Sequence, residues 1–188
     1  MIKIREYHVL PDKLCDSLIQ LFETDSKHHE RFDDNGLPNF TQLNLNKYHS
    51  KIIPTLCEYF NDGLEFYKKE VPTSKFLPPI KSLEEFRIKK YEVGGKDRFD
   101  EHVDVTDYTS SKRSLSMLFY LNDVDDGGNT VFPYHDIIFK PQKGKVMIFP
   151  PTWEYPHYGE PPISNTKYIM STYLRYDEIL MEDSDGED

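Results

Sequence analysis

The sequence predicts a mainly β domain entered through N-terminal helices. Three observations carry this. Apolar residues recur at helical spacing only in the first seventy or so positions. From about Phe86, short runs rich in β-branched and aromatic residues alternate with Gly, Asp, Asn and Pro. Aromatics make up 14% of the chain, so Tyr and Phe supply core bulk without long helices. A chain of 188 residues suits one domain, and at that length roughly 70% of the extended surface is buried without any covalent staple.

The elements follow in order. After Pro11 and Asp12, the residues Leu14, Leu18, Leu21 and Phe22, with Ile19 beside them, make one helix face. Asp12 is placed to cap it, because its carboxylate can accept from the first free N–H groups. His28–Phe40 is polar and holds Asn35-Gly36 and Pro38, which reads as a loop. A second helix carries Ile53, Leu56, Phe60, Leu64 and Tyr67, with Pro54 in its first turn. Pro72, Pro78 and Pro79 then break the chain. The strand-like runs are Phe86–Val93, Ser114–Leu121, Thr130–Phe132, Ile137–Phe139, Lys145–Phe149 and Tyr168–Tyr176. Asp126-Gly127-Gly128-Asn129 and Lys143-Gly144-Lys145 supply turns between them. Many short strands with frequent turns point to a sandwich or barrel, double-layered and packed on the helices. The reading is one domain over 1–176, with helices at about 11–70 and the β-region at about 86–176.

Charge narrows the function classes. The net charge is −10, but Asp177, Glu178, Glu182, Asp183, Asp185, Glu187 and Asp188 fall in 177–188 with no Lys or Arg. The body is therefore near neutral, and 177–188 reads as a disordered acidic tail. Nothing resembles the clustered cations that nucleic-acid binding needs. The two cysteines, Cys15 and Cys57, form no CxxC motif and no disulfide framework. Ile2–Tyr7 is too short and too charged for a signal peptide, and no apolar run approaches a membrane span. The expectation is a cytoplasmic protein with no membrane partner.

The chemistry centres on Glu101-His102-Val103-Asp104. Side chains two apart on an extended segment share a face, so an imidazole and a carboxylate point the same way. A third ligand would complete a facial triad, which suits Fe(II) because three positions stay open for an organic co-substrate and O2. Alone, His-x-Asp also fits a surface His beside a surface Asp. Downstream, His157 follows the run Lys145–Phe149 and a Pro-rich turn, and Lys167 comes ten residues later at the start of the last strand. That spacing lets His157 and Lys167 face one cavity from adjacent strands. A buried Lys needs an anionic partner, and a dicarboxylate provides one. The bland alternative is a surface Lys at a strand start.

These residues sit in longer stretches: Tyr91 to Asp104, Arg113 to Asn122, Gly127 to Pro133, Pro141 to Phe149, and His157 to Lys167-Tyr168. In this order they resemble the prolyl 4-hydroxylase-like branch of the 2-oxoglutarate/Fe(II)-dependent oxygenases. The resemblance is strong over about residues 86–176. It implies a double-stranded β-helix, or jelly roll. It implies that His102, Asp104 and His157 hold the iron and carry catalysis. It also implies that Lys167 forms the salt bridge to the far (C5) carboxylate of 2-oxoglutarate, with Tyr120 hydrogen-bonding the same group. Tyr91 matches a tyrosine that lines the site; a core aromatic is the alternative. Trp153 lines a substrate groove or packs under it, and His135 reads as a surface or structural residue. The implied cofactors are Fe(II), 2-oxoglutarate as co-substrate and O2, with ascorbate (vitamin C) dependence as a family habit. The implied reaction hydroxylates prolyl residues in a peptide or protein, with 2-oxoglutarate decarboxylated to succinate. The alternatives are the same chemistry on a free amino acid or other small molecule, and a jelly-roll binding module without catalysis. The sequence sets no oligomeric state.

Overall fold

The computed structural model describes residues 2–33, 38–77 and 80–176. The acidic tail and the Asn35-Gly36 turn expected from the sequence lie outside these residues, as do Pro78 and Pro79.

Two antiparallel sheets face each other. The major sheet runs β1-β10-β7-β12-β5-β3-β2, with β4 also paired to β12. Its strands are β1 (Arg5–His8), β2 (Glu30–Asp33), β3 (Asn39–Asn44), β4 (Ile80–Leu83), β5 (Arg87–Tyr91), β7 (Arg113–Tyr120), β10 (Lys145–Phe149) and β12 (Lys167–Tyr176). The minor sheet runs β6-β11-β8-β9, built from β6 (Phe99–His102), β8 (Thr130–Phe132), β9 (Ile137–Phe139) and β11 (His157–Gly159). Helices α1 (Asp12–Thr24), α2 (Leu45–Tyr48) and α3 (Ile53–Glu70) precede most of the strands. None of the helices among the described residues is long and apolar enough to cross a membrane.

Strand alternation gives the major sheet two different faces. Ile88, Leu115, Met117, Phe119, Val146, Ile148, Met170 and Leu174 join one core cluster with Leu18 and Phe22 of α1 and Leu56, Phe60 and Leu64 of α3. Residues of the opposite parity, among them Tyr91, Tyr120, Met147, Phe149 and Ile169, pack with Phe132 of the minor sheet in a second cluster between the layers. The strands read from the sequence over residues 86–176 form within a residue or two at each end. Both long helices form as expected, and Pro54 sits in the first turn of α3.

Two local expectations are corrected, and one strand is added. Glu30–Asp33 and Asn39–Asn44 pair as a hairpin on the edge of the major sheet, where a loop is expected over His28–Phe40. All four residues of β2 are exposed, so the segment pairs through its backbone and carries no apolar alternation to betray it. The N-terminal residues Arg5–His8 are likewise a strand, paired to β10. Asp12 makes no capping bond: Pro11 stands at the cap position of α1 and no side chain caps the helix there.

Candidate metal and co-substrate site

His102 is the last residue of β6 and His157 the first of β11, and the two are directly opposed in the ladder. Their rings lie 4.4 Å apart. After His102 the chain leaves the strand, and Asp104 is turned inward by hydrogen bonds from its own N–H and that of Val105 to the Pro151 carbonyl, each 3.2 Å. The ligand atoms of His102, Asp104 and His157 all lie within 4.8 Å of one another. The Nδ1 atoms of His102 and His157 face the carbonyls of Asp100 and Tyr155 at 2.8 and 3.1 Å. A carbonyl only accepts, so both Nδ1 atoms carry a proton, and in each ring Nε2 is the nitrogen turned toward Asp104. The separations are 3.7 Å from His102 Nε2 to Asp104 Oδ1 and 3.9 Å from His157 Nε2 to Asp104 Oδ2.

These residues fit a divalent ion. Asp104 Oδ2 is buried and has no hydrogen-bond partner, which is costly for a carboxylate oxygen unless a cation completes it. Burial opposes ionisation of Asp104, but the neighbouring His102 and His157 outweigh it and hold the carboxyl well below its usual range. Burial also pulls the His157 imidazole down, against the pull of Asp104, which favours the neutral form that a metal takes.

A second layer holds Asp104. The Tyr173 hydroxyl donates to Oδ1 at 2.9 Å. Arg113 Nη1 donates to the Asp104 carbonyl at 2.7 Å, and its Nε and Nη2 grip both oxygens of Glu84 at 2.9 Å. The same guanidinium lies 3.8 Å over the Tyr173 ring. Phe99 stacks on His102 with ring centroids 3.6 Å apart.

Lys167 lies in the same cavity as the three ligand candidates. It is 3% exposed, and its Nζ donates to the Gly128 carbonyl at 2.6 Å. Burial pulls its pKa down to about 7, against the upward pull of Glu160. Gly128 has φ +68°, and a Cβ there would lie 3.4 Å from Lys167 Cδ, so the Gly127-Gly128 turn lets the lysine stem pass close to the backbone. The rings of Tyr91 and Tyr120 flank the ammonium at 5.4 and 5.8 Å. Tyr91 lines the cavity. The Tyr120 hydroxyl donates to Thr130 Oγ1 at 2.9 Å. Its proton is thereby committed, and the Thr130 hydroxyl is the group that lines the cavity.

One detail of the spacing argument is corrected. His157 and Lys167 stand on opposing sheets, not on adjacent strands, because residues 160–166 cross from β11 to β12 between layers. They still face one cavity, across it. Trp153 is 78% exposed and does not line the cavity. His135 is half-buried, bonded to the Glu154 carbonyl at 2.8 Å and stacked on Tyr155, a local structural role. Sequence reasoning missed Lys89, Thr130 and Tyr173, which line the cavity, and Arg113, which braces it. The signal for Lys89 is its parity: it stands two residues before Tyr91, on the inward face of β5.

Comparison with known proteins agrees with this architecture. Residues 86–175 match the family model described as the 2OG-Fe(II) oxygenase superfamily. The chain is 33% identical over 107 residues to the "Probable prolyl 4-hydroxylase 9" of Arabidopsis thaliana, covering 46% of this chain and 36% of that protein. It is also 33% identical over 78 residues to prolyl 4-hydroxylase 5 of the same plant, covering 39% of this chain and 26% of that one. The chain thus spans about a third of the length of the curated relatives it matches. Among solved structures, a viral collagen prolyl hydroxylase from Paramecium Bursaria Chlorella virus-1 superposes with a TM-score of 0.71 at 20% identity, covering 93% of this chain and 97% of that one. A Pseudomonas putida prolyl 4-hydroxylase gives 0.68 at 17%, covering 93% and 92%. Residues 86–175 thus resemble the 2OG-Fe(II) oxygenase superfamily, and the fold is the one shared by these solved prolyl hydroxylases.

Proposed function

We propose that this chain is an Fe(II)- and 2-oxoglutarate-dependent hydroxylase acting on prolyl residues of a peptide or protein. One observation carries the reading: His102, Asp104 and His157 converge with both Nε2 atoms turned toward the carboxylate, and a buried lysine stands in the same cavity. In this reading His102, Asp104 and His157 hold the metal, and Lys167 receives the far carboxylate of 2-oxoglutarate with the Thr130 hydroxyl beside it. Iron and 2-oxoglutarate supply the oxidising power when bound, with 2-oxoglutarate decarboxylated to succinate and O2 as oxidant.

The chain's own residues do the rest. The Asp100 and Tyr155 carbonyls fix the imidazole tautomers. Tyr173 and the Glu84–Arg113 pair hold the Asp104 carboxylate and backbone in place. Phe99, Phe149 and Ile169 line the cavity with hydrocarbon, which limits water beside the reacting atoms. The prolyl substrate is supported by the curated relatives named as prolyl 4-hydroxylases. A structural neighbour from Trichoplax adhaerens was solved with a peptide fragment of hypoxia inducible factor, which supports a peptide partner.

The test is anaerobic titration of the Fe(II)-loaded protein with 2-oxoglutarate, followed by the weak visible charge-transfer band of the chelate. The band is expected in the native protein and absent in His102→Ala. No band and no heat of binding would leave a jelly-roll binding module in place of an oxygenase.

A further inference from the structure

The cavity holds a second lysine that the proposed mechanism does not use. Lys89 lines the cavity together with His102, Asp104 and Tyr173. It faces Ile169 across the β5–β12 ladder, while Tyr91 faces Lys167. Lys89 is therefore one inward position, about 7 Å, from the level of Lys167. The displacement runs along β12 toward Tyr173, which is bonded to Asp104.

The partners of Lys89 do not neutralise it. The charged groups that act on it are Asp104, Arg87 and Arg113. Arg87 is paired with Glu85, and Arg113 with Glu84. Gln42, opposite Lys89 on β3, gives its amide to Glu30 at 2.9 Å. The described contact of the Lys89 ammonium is the face of Phe40, 5.0 Å from the ring centroid. Asp104, the one anion among these three groups, is also the carboxylate the metal would take.

A charge count of the loaded site sharpens this. A divalent ion and Lys167 bring three positive charges, and Asp104 and a dicarboxylate bring three negative ones. Lys89 is one cation in excess, in a cavity where unpaired charge is expensive. We infer that Lys89 is the receptor for a carboxylate on the substrate, so that the enzyme selects an acidic substrate over its neutral counterpart. The inference rests on the oxygenase reading above. The carboxylate comes from one of two sources, the α-carboxylate of a free amino acid or an acidic side chain beside the target residue of a peptide.

Calorimetry on the Mn(II)-loaded protein tests this without turnover. Binding of 2-oxoglutarate is measured first. The 2-oxoglutarate complex is then titrated with two probe pairs: L-proline against L-prolinamide, and acetyl-Glu-Pro-Glu-amide against acetyl-Gln-Pro-Gln-amide. One carboxylate probe is expected to bind at least ~10-fold tighter than its amide, the scale of one charge-assisted contact. Which pair discriminates identifies the source. Lys89→Met should erase the preference and Lys89→Arg should keep it, with thermal melting confirming that both are folded. No preference in either pair, or a preference that survives Lys89→Met, overturns the assignment. So does a Lys89→Met protein whose main loss is in 2-oxoglutarate affinity, since Lys89 would then serve the co-substrate. Failure of the native protein to bind 2-oxoglutarate at all strikes the oxygenase reading itself, which separates the two failures.

Discussion

The two faces of the major sheet are made by the same strands and do opposite things. On β5, β7 and β12, the residues Ile88, Met117, Phe119 and Met170 turn to the helices and are fully buried hydrocarbon. On the same strands, Lys89, Ser116, Leu118, Lys167, Ser171 and Tyr173 have the opposite parity, turn to the cavity and bring it two lysines and three hydroxyl groups. One face lowers the free energy of the fold by removing apolar surface from water. The other holds charge that burial opposes. The pleat lets one set of backbones satisfy both demands, and it makes the demands separable by single substitutions.

The widest separation is expected from Phe119→Ala on the helix face. It removes a fully buried ring and should lower stability by about 3–5 kcal/mol, read from denaturant unfolding. The folded fraction should keep its affinity for 2-oxoglutarate. Lost affinity at full folding would show that the two faces are coupled. On the cavity face, Lys167→Met should weaken 2-oxoglutarate binding by about 2–5 kcal/mol, the scale for truncating one partner of a buried charge pair. Its stability should hold or rise, because a buried cation is replaced by hydrocarbon. A protein destabilised with affinity intact would assign Lys167 to structure. Next, Tyr173→Phe removes one hydrogen bond to Asp104 and should cost about 10–100-fold in metal affinity, measured by competition with a chelator; unchanged affinity would mean that Arg113 alone suffices to hold Asp104.

The smallest effect is one of pH. The Lys167 pKa lies at about 7, and a carboxylate binds the protonated form. Affinity for 2-oxoglutarate should therefore be full below pH 7 and fall as pH rises above it, by up to about tenfold per unit. Lys167→Arg should flatten that slope, because a guanidinium does not deprotonate in this range.

The sequence carries the site better than it carries the edges of the fold. His102, Asp104, His157 and Lys167 stand in ordered motifs with strong strand signals around them, and they converge in space. The edge strands β1 and β2 escape notice because pairing through the backbone leaves little apolar alternation to read; Phe32, on β2, is itself exposed. Tyr173, Arg113 and Glu84 are distant in sequence and ordinary in type, and only the folded chain brings them to Asp104. Lys89 is hidden for another reason. It sits beside Lys90, which pairs with Glu23 and Glu92 near the surface, and two adjacent lysines read as a solvated pair until the pleat sends one of them inward.

β12 has a consequence for how the protein is made. This ten-residue strand is central to the major sheet, bonded to β4, β5 and β7, and it is the last strand of the described fold. It supplies Lys167, Ser171 and Tyr173 to the cavity. A chain emerging from the ribosome can form its helices early from local contacts, but its pocket has no floor until residues near 173 are available to pair with strands sixty and eighty positions earlier. Chains that stop short of β12 hold His102, Asp104 and His157 but lack Lys167 and Tyr173, so the cavity is completed only when the last of these strands pairs.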